Sequence, residues 1–196
     1  RARLAELAGD QAHVQQAPLV LVWLADLARL ESVGQAEGLG HAALDYLEMA
    51  LVGVIDTALA AQNAMAAAES LGLSGCYIGG MRNHPEAVAQ LLGLPPRVFA
   101  VFGMTLGKED PAQQASVKPR LPQPAVLHHE RYRPVAEQQA DVATYNEAMA
   151  AFYAQQQMKV RGTWAVQSGK RVATPEALTG RDRLKEALQA LGFPLK

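Results

Sequence analysis

The stretch HAALDYLEMALVGVIDTALAAQNAMAAAESL, His41 to Leu71, decides how the chain is organised. It runs for about thirty residues without a proline, enough for a helix about 45 Å long. Alanine, leucine and methionine dominate it, all strong helix formers. On a helical wheel His41, Asp45, Glu48, Asp56, Asn63 and Ser70 share one stripe, with Gln62 and Glu69 beside it. The rest of the circumference, roughly two thirds, is apolar, whereas a surface helix needs only about one third. The helix is therefore expected to be covered on most sides, with Asp56 and Asn63 hydrogen-bonded in a largely buried setting. Its exit, GLSGCYIGG (Gly72 to Gly80), is a short strand set among glycines. A buried rod leading into a glycine-rich turn reads as a scaffold that feeds a site.

On the N-terminal side, Leu4 to Leu7 closes a helix that Gly9 stops, and Gln11 to Ala17 reads as a turn of helix ended by Pro18. RARLAELAG begins as though a helix were already under way, so the chain is expected to lack its natural N-terminal segment. LVLVWLA, Leu19 to Ala25, is apolar on both faces and belongs inside a sheet. Asp26 to Gly40 loses periodicity and reads as a polar connection. On the C-terminal side, Ser74 to Ile78 is a strand and Gly79-Gly80 a turn. Asn83 and Glu86 have capping-box spacing around Pro85, before a helix that Gly93 stops. Arg97 to Gly107 is a second apolar strand, and Lys108 to Pro124 a proline-spaced loop. A helix from about Glu137 to Gln157 follows, then GTWAVQ and KRVAT as a small hairpin or irregular segment. The final helix puts Leu184, Leu188 and Leu191 on one face. Helices around few strands, without a regular βαβ cadence, give α+β: a small mixed sheet flanked by helices, one of them long and central.

A length of 196 residues suits a single domain, residues 1–196. A net charge of −1 gives no reason to expect nucleic acid or an acidic membrane surface. From Lys159 onward eight Lys or Arg face three Asp or Glu, so residues 159–196 read as a basic C-terminal extension. The single cysteine, Cys76, cannot form an intrachain disulfide and fits a reducing cytoplasmic compartment; in its strand it is expected to be buried. Acidic residues interrupt the best candidate for a membrane span.

Two consecutive glycines let backbone approach a ligand without a Cβ in the way, although a Gly-Gly before a helix is also an ordinary turn. The spacing is not G-x-G-x-x-G, so it is not a dinucleotide fingerprint. Lys118-Pro119-Arg120 puts two cations either side of a stiffening proline, suited to phosphate or an anionic ring oxygen, or simply to a solvated loop. His128-His129-Glu130 lacks metal-ligand spacing, since neighbours on a strand point to opposite faces. No nucleophile–base grouping follows from spacing. Trp23 reads as core and Trp164 as partly exposed.

Together, DTALAAQNAMAAAESLGLSGCYIGGMRNHPEAVAQLLGLP, VFGMTLG, KPRLP and HHERYRP resemble the NADPH-dependent, oxygen-insensitive nitroreductases and flavin reductases of the FMN-binding nitroreductase superfamily. The resemblance runs from about Gly9 to Trp164 and implies an obligate homodimer with FMN at the subunit interfaces. It implies that Gln11, Tyr77, Ile78, Gly79 and Gly80 line the FMN, and that Lys118, Pro119 and Arg120 reach its pyrimidine edge and phosphate. Lys159 and Arg161 occupy the loop that faces the NADPH phosphate. The implied reaction is ping-pong: hydride passes from NADPH to FMN, and then to a nitroaromatic, quinone or similar small acceptor. A His-Arg-Ser type opening and a serine-rich loop, which supply further FMN contacts in the family, do not occur here. This leaves open a second reading, a dimeric flavin-binding or scaffold module without turnover.

Overall fold

Alanine- and leucine-rich runs become helices, and β-branched and aromatic runs become strands, in the computed structural model, which describes residues 1–112 and 116–196. The middle of the loop expected from Lys108 to Pro124 thus lies outside the described residues. In chain order the elements are α1 (Ala2–Leu7), α2 (Ala12–Gln16), β1 (Leu19–Asp26), α3 (Ala28–Ala36), α4 (Leu47–Ser70), β2 (Ser74–Ile78), α5 (Pro85–Leu92), β3 (Val98–Gly107), α6 (Gln139–Gln155), α7 (Trp164–Lys170) and α8 (Leu184–Ala190). They fall into two units, Arg1–Glu109 with Thr179–Lys196, and Asp110–Leu178. Residues 159–196, read from sequence as one basic extension, are shared between them.

The first unit is built on a three-stranded sheet in the order β1-β3-β2. The sheet was expected to be mixed, but both described pairings are antiparallel, Leu19 opposite Leu106 and Ser74 opposite Gly107. Connections as long as α4 and α5 allow either direction, so sequence alone does not fix it. β3 is the central strand and is almost wholly buried. β1, expected inside the sheet, lies at its edge among the described strands, and its two apolar faces have another cause. Val20, Val22 and Leu24 pack against a core that includes Leu4, Val14 and Val88, while Leu21 and Trp23 pack against Ala61, Met65 and Ala68 of α4. Helices cover both faces of the sheet.

α4 does not begin at His41. A 3-10 turn over Ala42–Asp45 and an extended Tyr46 precede its 24 residues, which span about 36 Å. The break has a partner far away in sequence: Lys196 N–H donates to the Asp45 carbonyl at 2.9 Å, and Leu47 N–H to the Lys196 carbonyl at 3.2 Å. Small residues let α4 lie close on the sheet through Ala50, Thr57, Ala61, Met65 and Ala68, and the Thr57 hydroxyl donates to the Leu24 carbonyl at 2.9 Å. The cover expected on its other sides is not supplied by the described residues. Leu47, Leu51, Ile55 and Leu59, each four residues from the last, are 49 to 63% exposed, and Asp56 and Asn63 are exposed as well. By length and composition α4 would be apolar enough to cross a bilayer, yet one face is committed to the sheet.

Three further expectations change. Ala28–Ala36, read as a polar connection, is helix α3, whose Glu31 carboxylate takes the Arg97 guanidinium at 3.1 Å. The Asn83–Glu86 capping box does not form. Asn83 is itself in the helical region, at the end of the 3-10 turn Gly79–Arg82, and His84 takes the N-cap position without a side-chain bond. The segment around GTWAVQ is helix α7, capped by Thr163, whose hydroxyl accepts from Val166 N–H at 3.3 Å. α8 closes the first unit, followed by Phe193, 1% exposed and set edge-on to Phe99 at 5.4 Å. In the second unit, Tyr145, Met149 and Tyr153 of α6 are buried, with Trp164 edge-on to Tyr145 at 4.8 Å.

Candidate functional site

The end of β2 and the turn after it are held from two directions. At the strand end, Ile78 is 1% exposed and pairs with Gly103 of β3. Gly103 leaves room for Met81, which is fully buried; a Cβ there would lie 2.9 Å from the Met81 methyl. On the opposite side the turn rests on the end of α1. A Cβ on Gly80 would collide with the Ala8 carbonyl. The same carbonyl accepts from Gln11 Nε2 at 2.8 Å. The structure thus brings Gln11 and Gly80 together through Ala8, a residue that the sequence did not single out. The Gly80 requirement comes from backbone packing within the chain.

Tyr77 is 41% exposed. Its ring stands edge-on to Phe102 at 5.5 Å, and its hydroxyl donates to Gln62 Oε1 at 3.2 Å. Burial, and secondarily the charge of Glu69, raises its pKa from the ordinary phenol value. Tyr77, Gly79 and Gly80 therefore present one polar aromatic group and one stretch of backbone bare of side chains, its Gly80 end resting on Ala8. Cys76, expected to be buried, is exposed, because β2 is an outer strand among those described.

Arg82 was also missed. Its guanidinium donates to the Val101 carbonyl, and burial, then the nearby Arg181 charge, lowers its pKa from the usual arginine value. An arginine straight after Gly-Gly-Met, between apolar strands, was the available signal.

Lys118, Pro119 and Arg120 belong to the second unit. The Pro119 carbonyl accepts from the Tyr145 hydroxyl at 2.9 Å, which ties the segment to α6, while Lys118 and Arg120 are exposed. Lys159 and Arg161 are also exposed, in the stretch between α6 and α7. His128 stacks obliquely on Tyr132 at 4.6 Å.

A helix-covered antiparallel sheet makes this an α+β protein, and its match to solved nitroreductases gives it the nitroreductase-like fold. The chain belongs to the nitroreductase family: residues 2–108 match the model of that family, and residues 118–196 the model of its C-terminal domain. It is 43% identical over 166 residues to the oxygen-insensitive NADPH nitroreductase of Salmonella typhimurium, covering 84% of this chain and 65% of that one. Among solved structures, NfrA1 of B. megaterium is 39% identical with a TM-score of 0.88, over 98% of this chain and 76% of that one. The NADPH:FMN oxidoreductase of Vibrio harveyi complexed with NAD+ is 34% identical with a TM-score of 0.85, over 100% and 76%. The chain spans between 60% and 66% of the length of the curated relatives it matches.

Proposed function

We propose that this chain serves an FMN-dependent oxidoreductase that passes hydride from NADPH to nitroaromatics, quinones or similar flat electrophiles in a ping-pong cycle. The observation that carries this reading is the Tyr77–Gly80 strand exit, braced on Ala8 and Gln11, in a chain of this family. The names of the relatives, an NADPH nitroreductase and an NADPH:FMN oxidoreductase, support it. The residues of the first unit suit a flavin: a half-exposed tyrosine, the Gly79 backbone without a side chain, and the Gln11 amide.

Bound FMN would supply the two-electron redox chemistry. The chain's own residues do the rest. Gln11 has committed its Nε2 to Ala8, which leaves Oε1 to accept from a ring N–H. Gly79 and Gly80 supply backbone polar groups, Gly80 with its side-chain space taken up by the Ala8 carbonyl. Lys118 and Arg120 offer positive charge for the phosphate and for the pyrimidine edge, where negative charge develops on reduction. Lys159 and Arg161 are cations for the phosphate of NADPH.

A second copy of this chain covers the apolar stripe Leu47, Leu51, Ile55 and Leu59 of α4 in this reading, giving a homodimer. The cytoplasm, where the exposed Cys76 thiol stays reduced, is its compartment. The test is FMN titration followed by flavin fluorescence. Saturable one-to-one binding is expected, about tenfold weaker in K118A and in R120A for each lost charge-assisted contact. No saturable binding, or unchanged affinity in both variants, contradicts the assignment.

A further inference from the structure

The β1–β3 ladder has a bulge. Trp23 pairs with Phe102 and Leu24 with Ala100, so the register steps over Val101. On the other side the β2–β3 ladder stops at Gly103, before reaching Val101. Val101 is 4% exposed, and its carbonyl faces burial without a strand partner, a costly arrangement unless another donor arrives. Arg82 supplies that donor from the last position of the 3-10 turn Gly79–Arg82. Its Nη2 also lies 3.6 Å from where a Gly79 Cβ would sit, so the guanidinium backs the first glycine of the turn.

We propose that Arg82 is a positioning residue for the flavin-lining turn: by filling the hydrogen-bond vacancy at the Val101 bulge, it locks Gly79 and Gly80 at a fixed depth relative to β3. The proposal rests on the flavin-site reading given above. Gly80 is stopped by Ala8 on one side, Met81 is seated over Gly103, and Arg82 closes the turn onto the central strand. A half-buried guanidinium is suited to this task because it can bond a carbonyl while remaining charged. The bulge and the cation explain one another: without the arginine the carbonyl is orphaned, and without the bulge the arginine has no acceptor there.

The test compares R82M and R82K with wild type and with L44A, a change at a buried leucine in the 3-10 turn Ala42–Asp45, outside the cluster that packs Ile78 and Met81. Affinity for FMN, the visible circular dichroism of the bound flavin and thermal stability are measured on each. R82M is expected to bind FMN about tenfold more weakly, the loss of one charge-assisted hydrogen bond. R82K, which keeps the charge but not the fork, should weaken it about threefold, with altered flavin dichroism in both. L44A should lower the melting temperature and leave affinity and dichroism as in wild type. If R82M does not fold, R82K is judged alone. Wild-type affinity and dichroism in a folded Arg82 variant would overturn the proposal, as would a loss of affinity in L44A equal to that in R82M. Failure of wild type itself to bind FMN would instead overturn the flavin reading.

Discussion

Two glycine-to-alanine changes separate packing from backbone conformation in this fold. Gly80 has an ordinary backbone conformation, so alanine there meets no torsional penalty, but its Cβ would collide with the Ala8 carbonyl oxygen and lie 2.9 Å from the carbonyl carbon. Ala8 cannot yield easily. It is 1% exposed, its N–H donates to the Leu4 carbonyl at 3.0 Å, and its carbonyl holds Gln11. Overpacking of this kind costs about 1–3 kcal/mol, and losing the Gln11 bond adds about 1 kcal/mol. G80A should therefore be destabilised by about 2–4 kcal/mol. Gly93 is the converse: nothing lies within 4 Å of its Cβ position, but its φ of +64° is the left-handed conformation. G93A should lose about 1–2 kcal/mol from backbone strain alone. Urea denaturation of the two variants, read as midpoints at constant slope, gives both numbers. Only G80A should also weaken FMN binding. A cost in G80A below about 0.5 kcal/mol, within the ordinary range of neutral surface changes, would refute the packing argument.

Three other outcomes follow from the same contacts. Hydrogen bonds from Lys196, and then from Arg97, hold the Asp45 carboxyl at about 2, below its ordinary value of 3.8. Its contribution to stability is thus present above about pH 4 and lost as pH falls from there to 2. D45N should flatten that limb of the stability profile, and an unchanged acid slope in urea midpoints would contradict it. Replacing Ile55 and Leu59 by aspartate should convert a dimer to a monomer on size exclusion with light scattering; a wild-type monomer would remove the α4 interface. F193A should cost about 3–5 kcal/mol in urea, because the ring is 1% exposed against Phe99; a loss under 1 kcal/mol would place Phe193 outside the core.

Most of the helices and all three strands of the described fold were legible as local patterns, because composition and period report local structure well. What was not legible depends on distant partners. The helix from His41 breaks at Tyr46 because Lys196 pairs with Asp45 and Leu47 across the fold. Cys76 is exposed because, among the described strands, β2 pairs only with β3, a matter of strand order. Asn83 has the spacing of a cap but not the conformation, since the 3-10 turn before it has already set its backbone. At the candidate site, the Gly79-Gly80 turn could be read from sequence, and Tyr77, Ile78 and Gln11 by resemblance. Ala8 could not, because it acts through its carbonyl and any residue has one. Arg82 could have been noticed as a charge among apolar neighbours, but its acceptor, the Val101 carbonyl, sits at a register shift that no local pattern shows.

The most direct test of the central claim is anaerobic reduction of the FMN-loaded protein, followed by flavin absorbance. NADPH should bleach the oxidised flavin band, and adding a quinone after the nucleotide is consumed should restore it, the two halves of a ping-pong cycle. A bound flavin whose absorbance NADPH does not change would contradict the account.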